Sequence, residues 1–573
     1  MVLITLPKKE QQVRCDYYPQ TMMKIQIFFN DIERASLEAF GKRERLALPI
    51  PAHASGLCTV RFSVPLRDIQ QYWTPNTEGV CNRLSWTFEV LCGAQSKFPL
   101  VAFFNRIGMN RFTFGTDDLV DDTRILAEVN QTACTYDITL EIACCPETEN
   151  IHLLLDQRDI SWMDTLADAR SELLPNPLPR FPDAAWNPVF CTWYAVHGAV
   201  DAKWVEQVAP LARDLGFTTL IVDDGWCYPE YKRLSPETLS TWYQDIGDWN
   251  VALEKFPDMP AHVKRIQALG MKYLVWTTAM LWGARSRRYA NHPEALTDLP
   301  LECNCRKFDT THEEIGQEIA ERMGTLVAEN GLDGLKVDFI DVVPNSLKHP
   351  NGRTSLRLAK SISTAIRQTI PDGLIEFRQN YDTPAMLPYA TQFRVMDAPF
   401  DYILNFERAV QIRLCLGDRI PIHADPAYWT EDEMPENIAR HLIAMLVAVP
   451  MISMDLTKLP PATAALIRHW MNFYNAHRAV LNLGHWEFGF ADTTCAWART
   501  DNGHERIIIV SDAVRFAEPL THPTEAAATW LLNLSSQPIL CPCETFGPNG
   551  LPASPDTIPC GGFGVVRFHN RTI

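Results

Sequence analysis

The sequence predicts a multidomain protein built from an N-terminal β-sandwich, a central (β/α)8 TIM barrel and a small C-terminal antiparallel β domain. Three observations predict it. At 573 residues the chain exceeds what one hydrophobic core organises. Residues 1–184 carry short alternating or apolar runs broken by Pro, Gly and Asn, and residues 486–573 return to that pattern. Between them, eight short apolar strands alternate with longer amphipathic segments, and eight is the number that closes a parallel barrel.

In chain order, KIQIFF, CTVRFSV, LSWTFEVLCG, ACTYDITLEIACC and IHLLLD read as strands of a sandwich. The Pro-rich LLPNPLPRFPDAAWNP then reads as a semi-rigid spacer. In the barrel region, 185–485, the strands are VFCTWYAV (189–196), TTLIVDD (218–224), KYLVWTT (272–278), GLKVDFI (334–340), LIEFRQ (374–379), FRVMDA (393–398), IPIHAD (420–425) and VPMISMD (449–455). Between strands, DAKWVEQVAPLARDLG and PAHVKRIQALG read as helices closed by glycine. The interval between strands five and six is too short for a helix, so one unit is irregular. TCAWAR, ERIIIVS, ATWLLNLS and GFGVVRF supply the closing β domain.

Composition removes several function classes. A net charge of -17, from 52 Lys+Arg against 69 Asp+Glu, offers no basic face for nucleic acid or anionic lipid. The opening MVLITLPKKEQQVRCDYYPQ lacks the apolar core of a secretory signal, and no run is long enough for a membrane span, which makes the cytoplasm the expected location. Sixteen cysteines spread over a long chain, several in apolar runs (Cys92, Cys191, Cys415), read as reduced core thiols. Cys303 with Cys305, and Cys541 with Cys543, stand too close together for zinc pairs, so neither metal nor cofactor is expected. HADPAYW and MDLTKLP, which end the barrel, contain no Gly-rich anion loop of the kind a phosphate-binding barrel isomerase needs.

Reactive groups in such a barrel sit at the C-terminal strand ends. Those ends carry Trp193 and Tyr194, Asp223 and Asp224, Trp276, Lys336 and Asp338, Arg378, Asp397, then His423 and Asp425. Carboxylates accept hydrogen bonds from hydroxyls, aromatic faces cover the C–H faces of a pyranose, and two acids suffice to break a glycosidic bond. Any single acid there could equally cap the next helix. The set as a whole points to a sugar.

The runs LIVDDGW, IGDWN…KFPDM, KYLVWTTAMLWGARS and GLKVDFID resemble the α-galactosidases of glycoside hydrolase family 36. The resemblance implies a retaining enzyme that hydrolyses terminal α-galactosides of oligosaccharides through a covalent glycosyl-enzyme. It implies Asp338 as nucleophile, Lys336 as donor to ring hydroxyls, and Asp223 and Asp224 as acceptors for O4 and O6, with strand alternation favouring Asp224. It implies Asp397 as acid/base, by its distance from Met386 and Leu387, with Asp401 the competitor. Arg378 falls where relatives contact the sugar and the acid/base. Trp193, Tyr194 and Trp276 join the expected sugar-binding set. His423 and Asp425 match a subset of relatives and either line the site or orient it. Trp282 and Trp429 are either platforms for the leaving group or core packing.

Two departures bear on the substrate. IEFRQNYDTPAM replaces the family's Cys-Ser-Gly-rich loop near the sugar's O2, and WTTAM replaces a Trp-Glu-Pro pattern. An α-N-acetylgalactosaminidase, a raffinose-type transglycosylase and a catalytically dead sugar-binding barrel therefore stand as alternatives. Relatives often assemble through the first domain, so a homo-oligomer is also left open.

Overall fold

The computed structural model describes residues 22–39, 41–75, 80–516 and 528–567; the opening segment in which no secretory signal is read lies outside them. The N-terminal part forms two six-stranded antiparallel sheets. Met23–Phe29 shows why: its odd positions Met23, Ile25, Ile27 and Phe29 are buried while Lys24 faces out, the period of a strand with one covered face. Val60, Phe62, Ile138 and Leu140 of one sheet meet Phe103, Phe114 and Leu153 of the other in a shared core.

The barrel strands are β1 (Val189–Cys191), β2 (Thr219–Val222), β3 (Lys272–Thr278), β4 (Gly334–Asp338), β5 (Leu374–Arg378), β6 (Gln392–Arg394), β7 (Ile422–His423) and β8 (Met451–Ile452). Consecutive strands pair in parallel, β8 pairs with β1, and a parallel bridge between His423 and Val449 joins the remaining edges. All eight overlap the runs the sequence marks; β3 fills its run, β6 begins one residue before its own, and the rest are shorter. Val189, Cys191, Ile221, Leu274, Leu374 and Met451 pack together inside.

The interval between β5 and β6 holds turns and no helix, as its length requires. Helix α1 (Ala202–Leu215) is capped by the Asp201 side chain, which accepts from Trp204 N, and stops at Gly216 with φ 106°. Asp258 caps α2 (Met259–Gln267) in the same way through Ala261 N.

The Pro-rich segment is more than a spacer. Its end turns into the barrel floor, where Ala185 is buried among the interior residues, and the Trp186 carbonyl accepts from Tyr474 Oη and Arg478. The sandwich also braces the barrel directly. Asp122 accepts from the backbone of Asn351 and Gly352 at the start of α3 (Gly352–Thr369), and Lys97 N donates to the Asn380 carbonyl behind β5. The C-terminal part is a six-stranded sheet that is antiparallel except for one parallel pair, Glu505–Val510 with Ala528–Asn533. Among the described residues no helix is long and apolar enough to cross a membrane.

Candidate active site

At the C-terminal face of the barrel a cavity is lined by Trp193, Tyr194, Asp223, Asp224, Tyr243, Trp276, Lys336, Asp338, Phe339, Arg378, Arg394, Asp397, Asp425 and Pro426. Ten of the eleven residues expected from the sequence are there. The exception is His423.

Asp338 ends β4 and is buried. Its Oδ2 accepts from Trp276 Nε1 (3.1 Å) and lies 3.7 Å from Lys336 Nζ, while Oδ1 accepts from Phe339 N (2.9 Å) and pairs with Arg378 Nε (2.8 Å). Burial alone would raise this carboxyl, yet Arg378, then Lys336 and Arg394, with the Trp276 indole, outweigh it and hold the group at about 2. Asp338 is an anion at any physiological pH. Arg378 is itself fixed: its guanidinium lies over the Phe339 ring (4.4 Å), and Asp341 accepts from it and from Asn380 Nδ2 (3.1 Å).

Lys336, two residues earlier on the same face of β4, donates to Asp223 Oδ2 (2.6 Å). Strand β2 stops at Val222, so Asp223 and Asp224 both belong to the following turn, and both reach the cavity. Strict alternation does not separate them. Gly225, at φ 118°, closes this turn so tightly that a Cβ would meet Gly198 Cα at 2.6 Å. Lys255 Nζ then pins the carbonyls of Gly198 and Gly225 (2.7 Å each).

Asp224 Oδ2 accepts from Trp242 Nε1 (2.6 Å), whereas its buried Oδ1 has no partner among the described residues. Burial, with the neighbouring Asp223 charge adding to it against the Trp242 donor, pushes the Asp224 carboxyl up to about 7. A buried acceptor left open is a place for a ligand hydroxyl.

Asp397 follows β6 and is the open carboxylate of the cavity, with 54% of its side chain exposed. Burial pushes its carboxyl up, but Arg394 Nη1 at 2.9 Å, followed by Arg378, holds it below the usual range, while the Asp338 charge works the other way. The competitor Asp401 does not line the cavity. It caps α4 (Tyr402–Leu416) through Leu404 N (2.9 Å).

Asp425 is completely buried. Its Oδ1 pairs with Arg394 Nη1, and its Oδ2 accepts from Ala398 N (2.7 Å) and Tyr194 Oη (3.1 Å). Burial raises this carboxyl to about 7 against the pull of Arg394. With both oxygens engaged by the protein, Asp425 supports the cavity wall and offers a ligand little. His423 points away from the cavity, its Nδ1 2.9 Å from Glu376 Oε2 and its Nε2 2.8 Å from the Ala185 carbonyl, so it ties β7 to β5 and to the barrel floor.

Trp193 and Tyr194 are not strand residues. Strand β1 ends at Cys191, and the one-turn helix Trp193–Val196 swings both rings over the opening. Trp282 and Trp429 are core residues: Trp282 is fully buried against Phe308, and Trp429 packs on His441. Arg394, Tyr243, Phe339 and Pro426 line the cavity without being singled out in the sequence. Arg394 had a legible signal, standing three residues before Asp397 in FRVMDA. Tyr243 had none, because it comes from a long loop after β2.

Comparison with known proteins fits this geometry. Residues 177–364, about a third of the chain, match the family model described as melibiase. This stretch is similar to the melibiase family. It contributes Trp193 to Asp338, while Arg378, Arg394, Asp397 and Asp425 follow it in the same barrel.

Among known proteins, the α-galactosidase Mel36A of Lactobacillus acidophilus is 23% identical over 167 residues, 28% of this chain and 21% of its own. A probable α-galactosidase G of Emericella nidulans is 29% identical over 111 residues, 18% of this chain and 14% of its own. The chain thus matches only about a fifth of the length of these relatives, or less. In fold, a form of the family 36 α-galactosidase AgaA from Geobacillus stearothermophilus, solved with raffinose, superposes with a TM-score of 0.62 at 14% identity, over 95% of this chain and 81% of its own. The barrel and its two flanking β regions share the fold of that α-galactosidase.

Proposed function

We propose that this protein is an α-galactosidase that hydrolyses terminal α-galactosides of oligosaccharides with retention, Asp338 acting as nucleophile and Asp397 as acid/base. The observation that carries the reading is the contrast between two acids on one cavity. Asp338 is buried, ionised and clamped by donors, whereas Asp397 stands open beside it under an arginine. A nucleophile needs the first environment and a proton shuttle the second.

In the free protein Arg394 favours the charged form of Asp397. A bound glycoside strips water from that exposed carboxyl, which favours its neutral form and prepares it to protonate the departing oxygen. Attack by Asp338 on the anomeric carbon then converts its carboxylate into an ester. That removes the negative charge that had been raising Asp397, so Asp397 is held ionised after giving up its proton and is free to accept one from the attacking water. The same electrostatics serves both half-reactions.

Asp223 and Asp224 take the O4 and O6 hydroxyls, with Asp224 Oδ1 the acceptor left open. Trp193, Tyr194, Trp276 and Lys336 complete the sugar's walls. O2 sits on the carbon next to the one attacked and therefore lies close to the groups flanking Asp338. Arg378 occupies that side, bound to Asp338 and backed by Asp341 and Asn380. This favours a free 2-hydroxyl over a 2-acetamido group, and so galactose over N-acetylgalactosamine. Raffinose in the AgaA structure makes raffinose-type oligosaccharides the natural first substrates to try. We further propose three domains, 1–184, 185–485 and 486–573, and a cytoplasmic location.

The test is a panel of aryl α-glycosides with the wild type and Asp338→Ala, followed by NMR of the first-released sugar. Release of α-galactose, a dead variant and recovery of β-galactosyl azide on adding azide are expected. First release of the β-anomer, or an active Asp338→Ala, overturns the assignment.

A further inference from the structure

We propose that Phe400, standing on Tyr428, is the platform on which the second sugar ring of the glycoside rests; this builds on the galactosidase reading above. The proton donor fixes the side from which the leaving group departs, and that side is the turn 397–401. Phe400 lies on this turn three residues beyond Asp397 and is 66% exposed. It meets the Tyr428 ring edge to face, with centroids 5.6 Å apart and planes at 78°. Tyr428 follows Pro426, itself part of the cavity wall, by two residues.

The exposure does not come from a loose loop. Ala398 N donates to Asp425 (2.7 Å), the Pro399 carbonyl accepts from Tyr428 N (3.0 Å), and Asp401 caps α4. A turn pinned at three points, three residues beyond the cavity-lining Asp397, holds a large apolar ring outward. The cavity itself is lined by five carboxylates and three cations, a wall suited to ring hydroxyls. The C–H face of a following hexose calls for the opposite surface, an aromatic one, on the Asp397 side.

The experiment compares Phe400→Ala and Phe400→Trp with the wild type on three substrates: α-galactosyl fluoride, which has no second ring, p-nitrophenyl α-galactoside, and the disaccharide galactosyl-α-1,6-glucose. Thermal unfolding is measured in parallel. The expected result is a loss of about tenfold in kcat/KM for Phe400→Ala on the disaccharide, a smaller loss on the aryl galactoside, and fluoride turnover within about twofold of wild type. Phe400→Trp restores the disaccharide rate. An equal loss on fluoride, or an undiminished disaccharide rate in a folded Phe400→Ala, overturns the platform and leaves the galactosidase reading intact. A wild type inactive on all three overturns both.

Discussion

Asp397 and Asp425 are held by a single guanidinium nitrogen. Arg394 Nη1 lies 2.9 Å from Asp397 Oδ1 and pairs also with Asp425 Oδ1, although the first carboxylate is open to the cavity and the second is wholly buried. Asp425 also fixes the peptide next to Asp397 through Ala398 N. It is therefore a positioning residue for the proposed acid/base.

Asp425→Asn leaves Arg394 wholly to Asp397, which strengthens the pull toward the charged form. The alkaline limb of kcat/KM against pH is expected to move down by about one unit, with a smaller change at low pH. A limb that stays in place in a folded variant would reduce Asp425 to packing.

Asp224 separates stability from function. Its folded value of about 7 stands above the unfolded value of about 3.9, so between these two pH values the native chain holds a proton that the unfolded chain has lost. That stabilisation is complete below about pH 3.9 and is lost as pH rises toward 7. Asparagine does not titrate, so Asp224→Asn is expected to melt at least about 2 °C above wild type at pH 8 and close to it at pH 4. Turnover of α-galactosides falls at least about a hundredfold through loss of the hydroxyl acceptor. Calorimetry at the two pH values checks the first part; an unstabilised variant at pH 8 contradicts it.

Trp276 lends its indole N–H to Asp338 Oδ2. Trp276→Phe keeps the aromatic wall and removes that donor, so the Asp338 carboxyl rises from about 2 and the acid limb of kcat/KM shifts to higher pH. A kcat loss of about tenfold accompanies the shift. Pre-steady-state burst kinetics locate the loss, which belongs in the glycosylation step.

Arg378→Ala opens the side of the cavity next to Asp338. Galactoside turnover falls because the nucleophile loses its strongest counter-charge. The ratio of N-acetylgalactosaminide to galactoside turnover is expected to rise at least about tenfold, as competition between the two aryl substrates would reveal. An unchanged ratio places the determinant of O2 recognition elsewhere.

How much of the site was legible follows from what kind of signal each residue carried. Lys336 and Asp338 share a face because a strand repeats every two residues, and this spacing is local. Asp223 and Asp224 were visible as a pair, but which one reached the cavity depended on where β2 stopped, and it stops before both. His423 and Asp425 are also two apart, yet β7 ends between them, so the first faces the floor and only the second reaches the wall. Strand ends are set by tertiary pairing, which the local pattern does not encode.

The sequence by itself determined the three-part architecture, the eight barrel strands, the irregular interval between β5 and β6, and the acids at strand ends, because hydrophobic period and turn chemistry are local properties of the chain. Only the tertiary structure decided that Arg394 bridges Asp397 and Asp425, that Tyr243 enters the cavity from a distant loop, and that Ala185 plugs the floor. Each of these depends on groups far apart in the chain being brought within a few ångströms, and burial and charge act through space rather than along the sequence. The same distinction sets the proposed chemistry: the chain marks Asp338 and Asp397 alike as acids, and their surroundings make one a clamped anion and the other an open carboxyl under a shared arginine.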